Sequence, residues 1–198
     1  NLVDAIWSDR PAPPRNPIRI QPDELAGESF VNKCGRLGAE LEKNGTVNSL
    51  IALPDSICWL LNIRGSDIAR NPVVHAYAIL ESTNHVNLFT DAVLDDDVRA
   101  LFGDEVTVYP LTDFETFLTD RVNVTFQIDP ASTPQTVLAI LEARQPTEST
   151  LEIVEGQDPC ILPKARKNAV EIEGSRQAHL RDGAAMVRFL AWLESEAP

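Results

Sequence analysis

The stretch DSICWLLNIRGSDIARNPVVHAYAIL, residues 55–80, contains the change of hydrophobic pattern that decides the fold. Its first part follows Pro54 and carries apolar residues at helical spacing, and proline is favoured in the first turn of a helix. Residues 73–80 instead form an alternating apolar run, and a second such run at 85–90 follows after four residues. The pattern therefore predicts a helix, a loop and then a β-hairpin.

Strand and helix patterns alternate on both sides of this stretch. A helical repeat ends at Asn44-Gly45, and a short apolar run at 47–53 predicts a buried strand. After the hairpin the same alternation predicts helices at 95–103, 111–120 and 132–144, and strands at 105–110, 122–129 and 150–155. This order predicts the α/β class, with a mixed sheet flanked by helices.

The two ends of the chain differ from this central domain, which we place at 24–162. Residues 1–23 contain five of the fourteen prolines, so we expect an extended Pro-rich segment without a folded element. Residues 163–198 are predicted to form a connector and a long helix, because small and apolar residues recur at helical spacing from Ala165 to Ala191. Such a helix would have about 30 residues and be about 45 Å long. A helix of this length needs a partner to cover its apolar side chains.

The composition argues against two classes of protein. The formal net charge of −13 argues against nucleic-acid binding, which needs a basic surface that displaces counterions from phosphates. No apolar run approaches the roughly 18 residues expected of a membrane-spanning helix, so we expect no membrane partner. Three widely spaced cysteines suit a reducing compartment better than a disulfide framework, and we expect a cytoplasmic protein.

The histidines do not form a recognisable catalytic or metal site. His75, His85 and His179 are the only histidines, and none has ligand spacing to another histidine or to a cysteine. His179 and Asp182 lie three residues apart on the predicted long helix and could share a face. A catalytic dyad would also need a nucleophile or a metal, and a pocket. We therefore interpret this pair as a surface or interface pair.

A loop after the first helix of residues 55–80 is the best candidate for a contact site. The loop residues Arg64, Asp67 and Asn71, together with the preceding Trp59, combine charge, hydrogen-bonding groups and an aromatic ring. These residue types could contact a ligand, and a fork-shaped guanidinium could face a carboxylate or carbonyl group. A local salt bridge between Arg64 and Asp67 that closes the turn explains the same residues. The sequence leaves both interpretations open.

Residues 55–80 resemble the second domain of the three-domain Xaa-Pro aminopeptidases (aminopeptidase P), in the peptidase family that also contains prolidase, methionine aminopeptidase and creatinase. Residues 1–14, NLVDAIWSDRPAPP, resemble the segment that leads into that domain. Residues 164–194, KARKNAVEIEGSRQAHLRDGAAMVRFLAWLE, resemble the connection into the catalytic domain and its first helix. The three segments occur in the family's order.

The resemblance implies a creatinase-like N-terminal domain, with a mixed sheet related to that of ribonuclease H. It implies that the full protein removes an N-terminal residue that precedes proline, with two divalent metal ions, usually manganese, that activate a bridging water. In the family the metal ligands are two Asp, one His and two Glu of the catalytic domain, and no position here matches them. We therefore assign no catalytic or metal residue and no bound cofactor to this chain, and expect it to be inactive alone.

The same resemblance implies partners and a role. The partners would be the catalytic domain of the same protein and a peptide with proline at its second position, and a homodimer is left open. The chain would wall one side of the substrate cleft, with Trp59, Arg64, Asp67 and Asn71 as candidate contacts. Two alternatives remain: a stand-alone binding or assembly module with this fold, or part of a related prolidase or creatinase.

Overall fold

The computed structural model describes residues 2–144 and 151–196, and the strands of its larger sheet and the helices between them follow the predicted order. The strands are β1 Arg19–Ile20, β2 Asn48–Ile51, β3 Ile63–Arg64, β4 Tyr77–Glu81, β5 Val86–Phe89, β6 Val106–Tyr109, β7 Val124–Ile128 and β8 Leu151–Glu155. The helices are α1 Leu2–Ile6, α2 Asp23–Ala26, α3 Phe30–Lys43, α4 Pro54–Leu60, α5 Asp96–Phe102, α6 Phe114–Asp120, α7 Gln135–Arg144, α8 Ile161–Ala165 and α9 Ala169–Glu196. Residue 150 of the last predicted strand and the final two residues of the predicted long helix lie outside the described residues.

In the described residues, six strands form one mixed sheet in the order β6-β5-β4-β2-β7-β8. The β4–β5 pair is the predicted antiparallel hairpin, with Ala78 opposite Leu88. The central β2 is antiparallel to β4 and parallel to β7, while β5–β6 and β7–β8 are parallel pairs. Helices follow the parallel strands, as crossover connections require. The α/β class and the mixed sheet are confirmed.

The sheet is buried on both faces, and neighbouring residues of β4 point to opposite cores. Ala78 and Leu80 belong to the core under α3, α4 and α5, which contains Leu37 and Ile57. Ile79 belongs to the other core, where α6 and α7 cover the sheet. This alternation follows from the two-residue period of a strand.

The β4 strand is shorter than the alternating run predicts, and it begins at Tyr77. The carbonyls of Pro72 and Val73 accept hydrogen bonds from the N–H groups of Gly65 and Asp67, at 3.2 Å in both cases. The backbone of these residues is therefore paired with the preceding loop and not with the sheet. Val73 and Val74 are buried in the core even so, which explains their apolar character.

The prediction that residues 1–23 contain no folded element is wrong. Helix α1 lies within this segment, and β1 pairs with β3 so that Arg19 is opposite Arg64. Ile18 is 1% exposed because it lies in the core beside these strands. The proline pattern indicated an extended backbone, but it could not indicate that this backbone covers a core.

The prediction that the long helix begins at Ala165 is also wrong. A short helix, α8, ends there, and the 28-residue α9 begins at Ala169. The break occurs because Asn168 caps α9: Asn168 Oδ1 accepts from the N–H of Glu171, and the Glu171 carboxylate accepts from the N–H of Asn168. This reciprocal capping box sets the first residue of the helix. The expectation of a long C-terminal helix is confirmed.

Candidate functional site

The carboxylate of Asp67 holds the N-terminal segment against the loop 64–71. Its Oδ1 accepts from the N–H of Asn16 at 3.0 Å, and its Oδ2 accepts from the N–H of His75 at 2.8 Å. Asn16 also donates from Nδ2 to the carbonyl of Ser66, at 3.1 Å. We call residues 15–20 the strap. The two oxygens of Asp67 thus attach the strap and the segment just before β4 to the loop.

Arg64 makes hydrogen bonds with nearby backbone carbonyls. Among the contacts of the described residues, it makes none with Asp67. Its Nη1 donates to the carbonyl of Ile63 at 2.8 Å and to the carbonyl of Cys58 at 3.3 Å. The salt bridge that could have closed the turn is therefore not formed. Arg64 is half-buried, and its backbone belongs to β3.

Asn71 and Trp59 differ in their surroundings. Asn71 is exposed and pairs with Ile68 through an isolated bridge, so its side chain is accessible at the loop surface. Trp59 is half-buried near the end of α4, and the Nζ atom of Lys33 lies 4.4 Å from the centroid of its ring. The structure thus places Arg64, Asp67 and Asn71 in one loop, and Trp59 beside it in a neighbouring cleft.

This cleft has a volume of about 420 Å³ and separates the α/β domain from the start of α9. Trp59 lines one wall, Leu162 and Pro163 of α8 line another, and Glu28, Arg36 and Glu171 bring charge. Glu28 and Arg36 are joined by an ion pair of 3.0 Å. The lining combines an aromatic ring, apolar surface and carboxylates, which suits contact with a peptide or a neighbouring polypeptide segment.

A buried lysine lies behind the Trp59 ring. Lys33 is 1% exposed, and its Nζ donates to Oδ1 of Asn62 at 2.6 Å and to the carbonyl of Trp59 at 2.8 Å. Burial lowers the pKa of Lys33 because desolvation disfavours the ammonium, although the nearby Glu28 and Glu171 carboxylates oppose this effect. Sequence reasoning missed this residue. Its signal was its position on the apolar face of α3, between Phe30 and Leu37.

A second buried polar group lies where β8 leads into α8. Asp158 is 3% exposed, its Oδ1 accepts from the N–H of Cys160, and its own N–H donates to Asp129. Burial raises the pKa of Asp158, and the neighbouring Ser56 hydroxyl and Lys164 ammonium partly offset that shift. Lys164 contacts Asp55 and donates to the Ser56 hydroxyl, which attaches α8 to α4.

The described residues contain no group of three or more His, Cys, Asp or Glu side chains that could hold a metal ion. His179 Nδ1 lies 2.8 Å from the carbonyl of Ser175 on its own helix, and the residue is exposed. The described part of the chain therefore offers no ligand set for a two-metal site. Across the same residues, no helix has both the length and the apolar character needed to cross a bilayer.

Comparison with known families gives a match over most of the chain. The model of the creatinase/prolidase N-terminal domain matches residues 9–171. This chain belongs to that family. The two-sided mixed sheet described above is the fold of a creatinase/prolidase N-terminal domain, as the sequence resemblance implied.

Curated relatives of this creatinase/prolidase N-terminal domain are named probable Xaa-Pro aminopeptidase P. The protein of Leptosphaeria maculans is 39% identical over 200 residues, and that of Coprinopsis cinerea is 39% identical over 204 residues. These alignments cover 99% and 98% of this chain, but only 33% of each relative. The chain thus spans about a third of the length of the curated relatives it matches.

A solved structure agrees with these relatives. The chain superimposes on X-prolyl aminopeptidase from Caenorhabditis elegans, described as a cytosolic enzyme with a di-nuclear active site, with a TM-score of 0.86 and 30% identity. The match covers 99% of this chain and 32% of the other. A prolidase from Thermococcus sibiricus, at 16% identity and a TM-score of 0.54, shares the fold.

Proposed function

We propose that this chain contains a non-catalytic domain of a metal-dependent Xaa-Pro aminopeptidase, which removes an N-terminal residue preceding proline, and the first helix of its catalytic domain. The observation that carries the proposal is the match over 99% of the chain to X-prolyl aminopeptidase of known structure. In this proposal two divalent metal ions, with manganese as our choice, are bound by the catalytic domain that α9 begins. None is placed on the described residues of this chain.

The exposed apolar side chains of α9 are evidence for further protein that covers this helix. From Leu180 onward the helix carries large apolar side chains that are between 44% and 68% exposed: Leu180, Met186, Val187, Phe189, Leu190, Trp192 and Leu193. Successive residues turn by about 100° around a helix, so these side chains cover about two thirds of the circumference, and Arg181 and Arg188 lie in the remaining sector. An apolar face this wide is characteristic of a helix that is covered by other elements of a larger domain. The rest of the catalytic domain, of which α9 is the first helix, is the partner that we propose to cover it.

The role of this domain in the enzyme would be to wall the substrate cleft and to support packing. Trp59, Arg64, Asp67 and Asn71 remain the proposed contacts with the peptide. The accessible Asn71 and the half-buried Trp59 and Arg64 suit this role best, because both oxygens of Asp67 already accept backbone hydrogen bonds. A cytoplasmic location belongs to the same proposal. The homodimer stays an open alternative, which sedimentation of the full protein tests.

Activity measurements test the proposal directly. The full-length protein with Mn²⁺ should release the first residue of an Xaa-Pro peptide, whereas the 198-residue chain should show no turnover. Hydrolysis by this chain alone would contradict a non-catalytic role. In the full-length enzyme, Arg64→Ala should raise KM for longer peptides more than for short ones. Ser66→Ala is the matched control, because only the backbone carbonyl of Ser66 is used. Equal KM values for both variants on every peptide length would show that Arg64 does not contact the peptide.

A further inference from the structure

The contact between α9 and the α/β domain is confined to the beginning of the helix. Asn168, Glu171, Ser175 and Ala178 are half-buried at helical spacing, while every described side chain after Ala178 is exposed. Among the described elements, α2 makes the most extensive contact with α9. The direction of a long helix is therefore set by a few residues in its first turns.

Asn168 both begins α9 and attaches it to α2. Its Oδ1 caps the helix by accepting from the N–H of Glu171 at 3.0 Å. Its Nδ2 donates to the carbonyl of Ala26, the last residue of α2, at 2.7 Å. One carboxamide thus joins two elements that lie 142 residues apart in the chain.

Gly27 provides the space for this carboxamide. It ends α2 with φ +73°, a left-handed conformation that favours glycine. The place that a Cβ atom would take at Gly27 is occupied by the side-chain amide of Asn168. Gly45 has nearly the same conformation, φ +72°, but a Cβ there would meet nothing within 4 Å. The two glycines therefore share a backbone conformation, but an added Cβ would collide with another side chain only at Gly27.

A buried side chain of the α/β domain, that of Asn62, holds α2 from the side opposite to Asn168. Asn62 Nδ2 donates to the carboxylate of Asp23 at 2.9 Å, at the start of α2, and to the carbonyl of Glu28 at 2.8 Å, just after its end. Asn62 is 2% exposed, and its Oδ1 accepts from the buried ammonium of Lys33 at 2.6 Å. This short helix is thus held at both ends by a side chain that cannot move without breaking buried hydrogen bonds.

We propose that Gly27, Lys33, Asn62 and Asn168 form a rigid joint that sets the direction of α9 relative to the α/β domain. The 28 residues of α9 span about 42 Å at a rise of about 1.5 Å per residue. A tilt of about 10° at the joint would therefore move the far end by about 7 Å. Resting on the proposed function, the joint residues are positioning residues that place this domain beside the catalytic site.

Spin labels can measure this direction in the 198-residue chain. Encoded non-cysteine labels would replace Glu42 on α3 and Arg188 on α9, both of which are exposed, so that the buried cysteines stay untouched. The label-to-label distance distribution should be narrow in the otherwise unchanged chain and in Gly45→Ala. It should broaden or shift by several ångströms in Gly27→Ala, because the new Cβ displaces Asn168. Equal distributions in Gly27→Ala and Gly45→Ala would overturn the joint.

Asn168→Ser provides a second, independent variant. Serine is a good N-cap, so α9 should still begin at Ala169, but its side chain is too short to donate to the carbonyl of Ala26. Helix content by circular dichroism should stay unchanged while the distance distribution broadens. A distribution as narrow as that of the unchanged chain would show that the Ala26 contact does not orient α9. This variant decides the matter even if Gly27→Ala fails to fold.

The catalytic consequence is measured separately in the full-length enzyme. Gly27→Ala and Asn168→Ser should lower kcat/KM by about tenfold to a hundredfold through misplacement of the cleft, with Gly45→Ala unchanged. Activity equal to that of Gly45→Ala would show that the joint orders α9 without influencing catalysis. Absence of Xaa-Pro hydrolysis in the unchanged full-length protein would instead contradict the proposed function, while the spin-label distances would still decide whether the joint exists.

Discussion

The ammonium of Lys33 lies 2.6 Å from the side-chain oxygen of Asn62, and both residues are at least 98% buried. The ammonium also donates to the carbonyl of Trp59 and lies against the Trp59 ring. Removing a hydrogen-bond partner from a buried polar group costs more than the bond itself contributes, because the group left behind has lost its water. This pair should therefore be one of the sensitive points of the domain.

Lys33→Met should lower the free energy of unfolding by about 1.5–3 kcal/mol, since Asn62 and the Trp59 carbonyl lose a charged donor. Urea unfolding at pH 7 measures the change. Lys43→Met, at the exposed end of the same helix, is the control and should have a much smaller effect. Equal stability of the two variants would show that the cost of burying the ammonium cancels its hydrogen bonds.

Asp67→Ala should release the strap from the loop. The backbone N–H groups of Asn16 and His75 lose their acceptor, so their hydrogen exchange should accelerate. The free energy of unfolding should fall by about 1–3 kcal/mol. Ser66→Ala removes a neighbouring exposed side chain from the same loop, and protection at Asn16 should then persist. Unchanged exchange at both amides in Asp67→Ala would mean that the strap is held by Ile18 and β1 alone.

The cysteines should be inert toward thiol reagents in the folded chain. Cys34, Cys58 and Cys160 are all free and buried, and burial raises the pKa of each thiol, that of Cys34 to about 12. Titration with a chromogenic disulfide at pH 8 should detect almost no thiol before denaturation and three per chain in guanidinium chloride. Rapid reaction of one thiol in the native chain would reveal an opening near that residue.

Asp158 should make stability depend on pH. Because its pKa is raised in the folded chain, the folded state binds the proton more tightly than the unfolded state, whose pKa is near 3.8. Its contribution is therefore fully present below that value and is lost as the pH rises through the folded-state pKa. The stability of the unchanged chain relative to Asp158→Asn should consequently be lower at pH 7 than at pH 4.

Urea unfolding at the two pH values measures this difference, with Asp104→Asn, at an exposed site, controlling for the lost negative charge. A relative stability that rises from pH 4 to pH 7 would show that Ser56 and Lys164 stabilise the Asp158 carboxylate more than burial disfavours it.

The element order of this protein is readable in its sequence because apolar periodicity reports which faces are buried. The run at 73–80 predicts a strand, and Val73 and Val74 are indeed buried, yet they lie outside β4. Periodicity cannot distinguish a strand residue from a buried loop residue whose carbonyl pairs with Asp67. The proline-rich start led to the opposite error, the prediction of no folded element, although an extended backbone can still form β1 against β3.

Only part of the candidate site could be predicted from the sequence. The loop around Arg64 was recognised from its residue types, but its main contact, Asp67 with Asn16, joins residues 51 positions apart. The capping box of Asn168 and Glu171 has a recognisable three-residue spacing, and Lys33 interrupts the apolar face of α3. These signals indicate a cap and an unusual lysine, but they do not name the partners.

The sequence by itself determined the order of the six strands of the larger sheet and of the helices between them, the hairpin and the long final helix, because propensity, turns and periodicity act over a few neighbouring residues. Only the tertiary structure decided that Lys33 meets Asn62 and that Asn168 meets Ala26, across 29 and 142 positions of the chain. These contacts form because closing the two cores brings α2, α3, α4 and the start of α9 together. Polar groups that have lost water in this way depend on their hydrogen-bond partners within the protein.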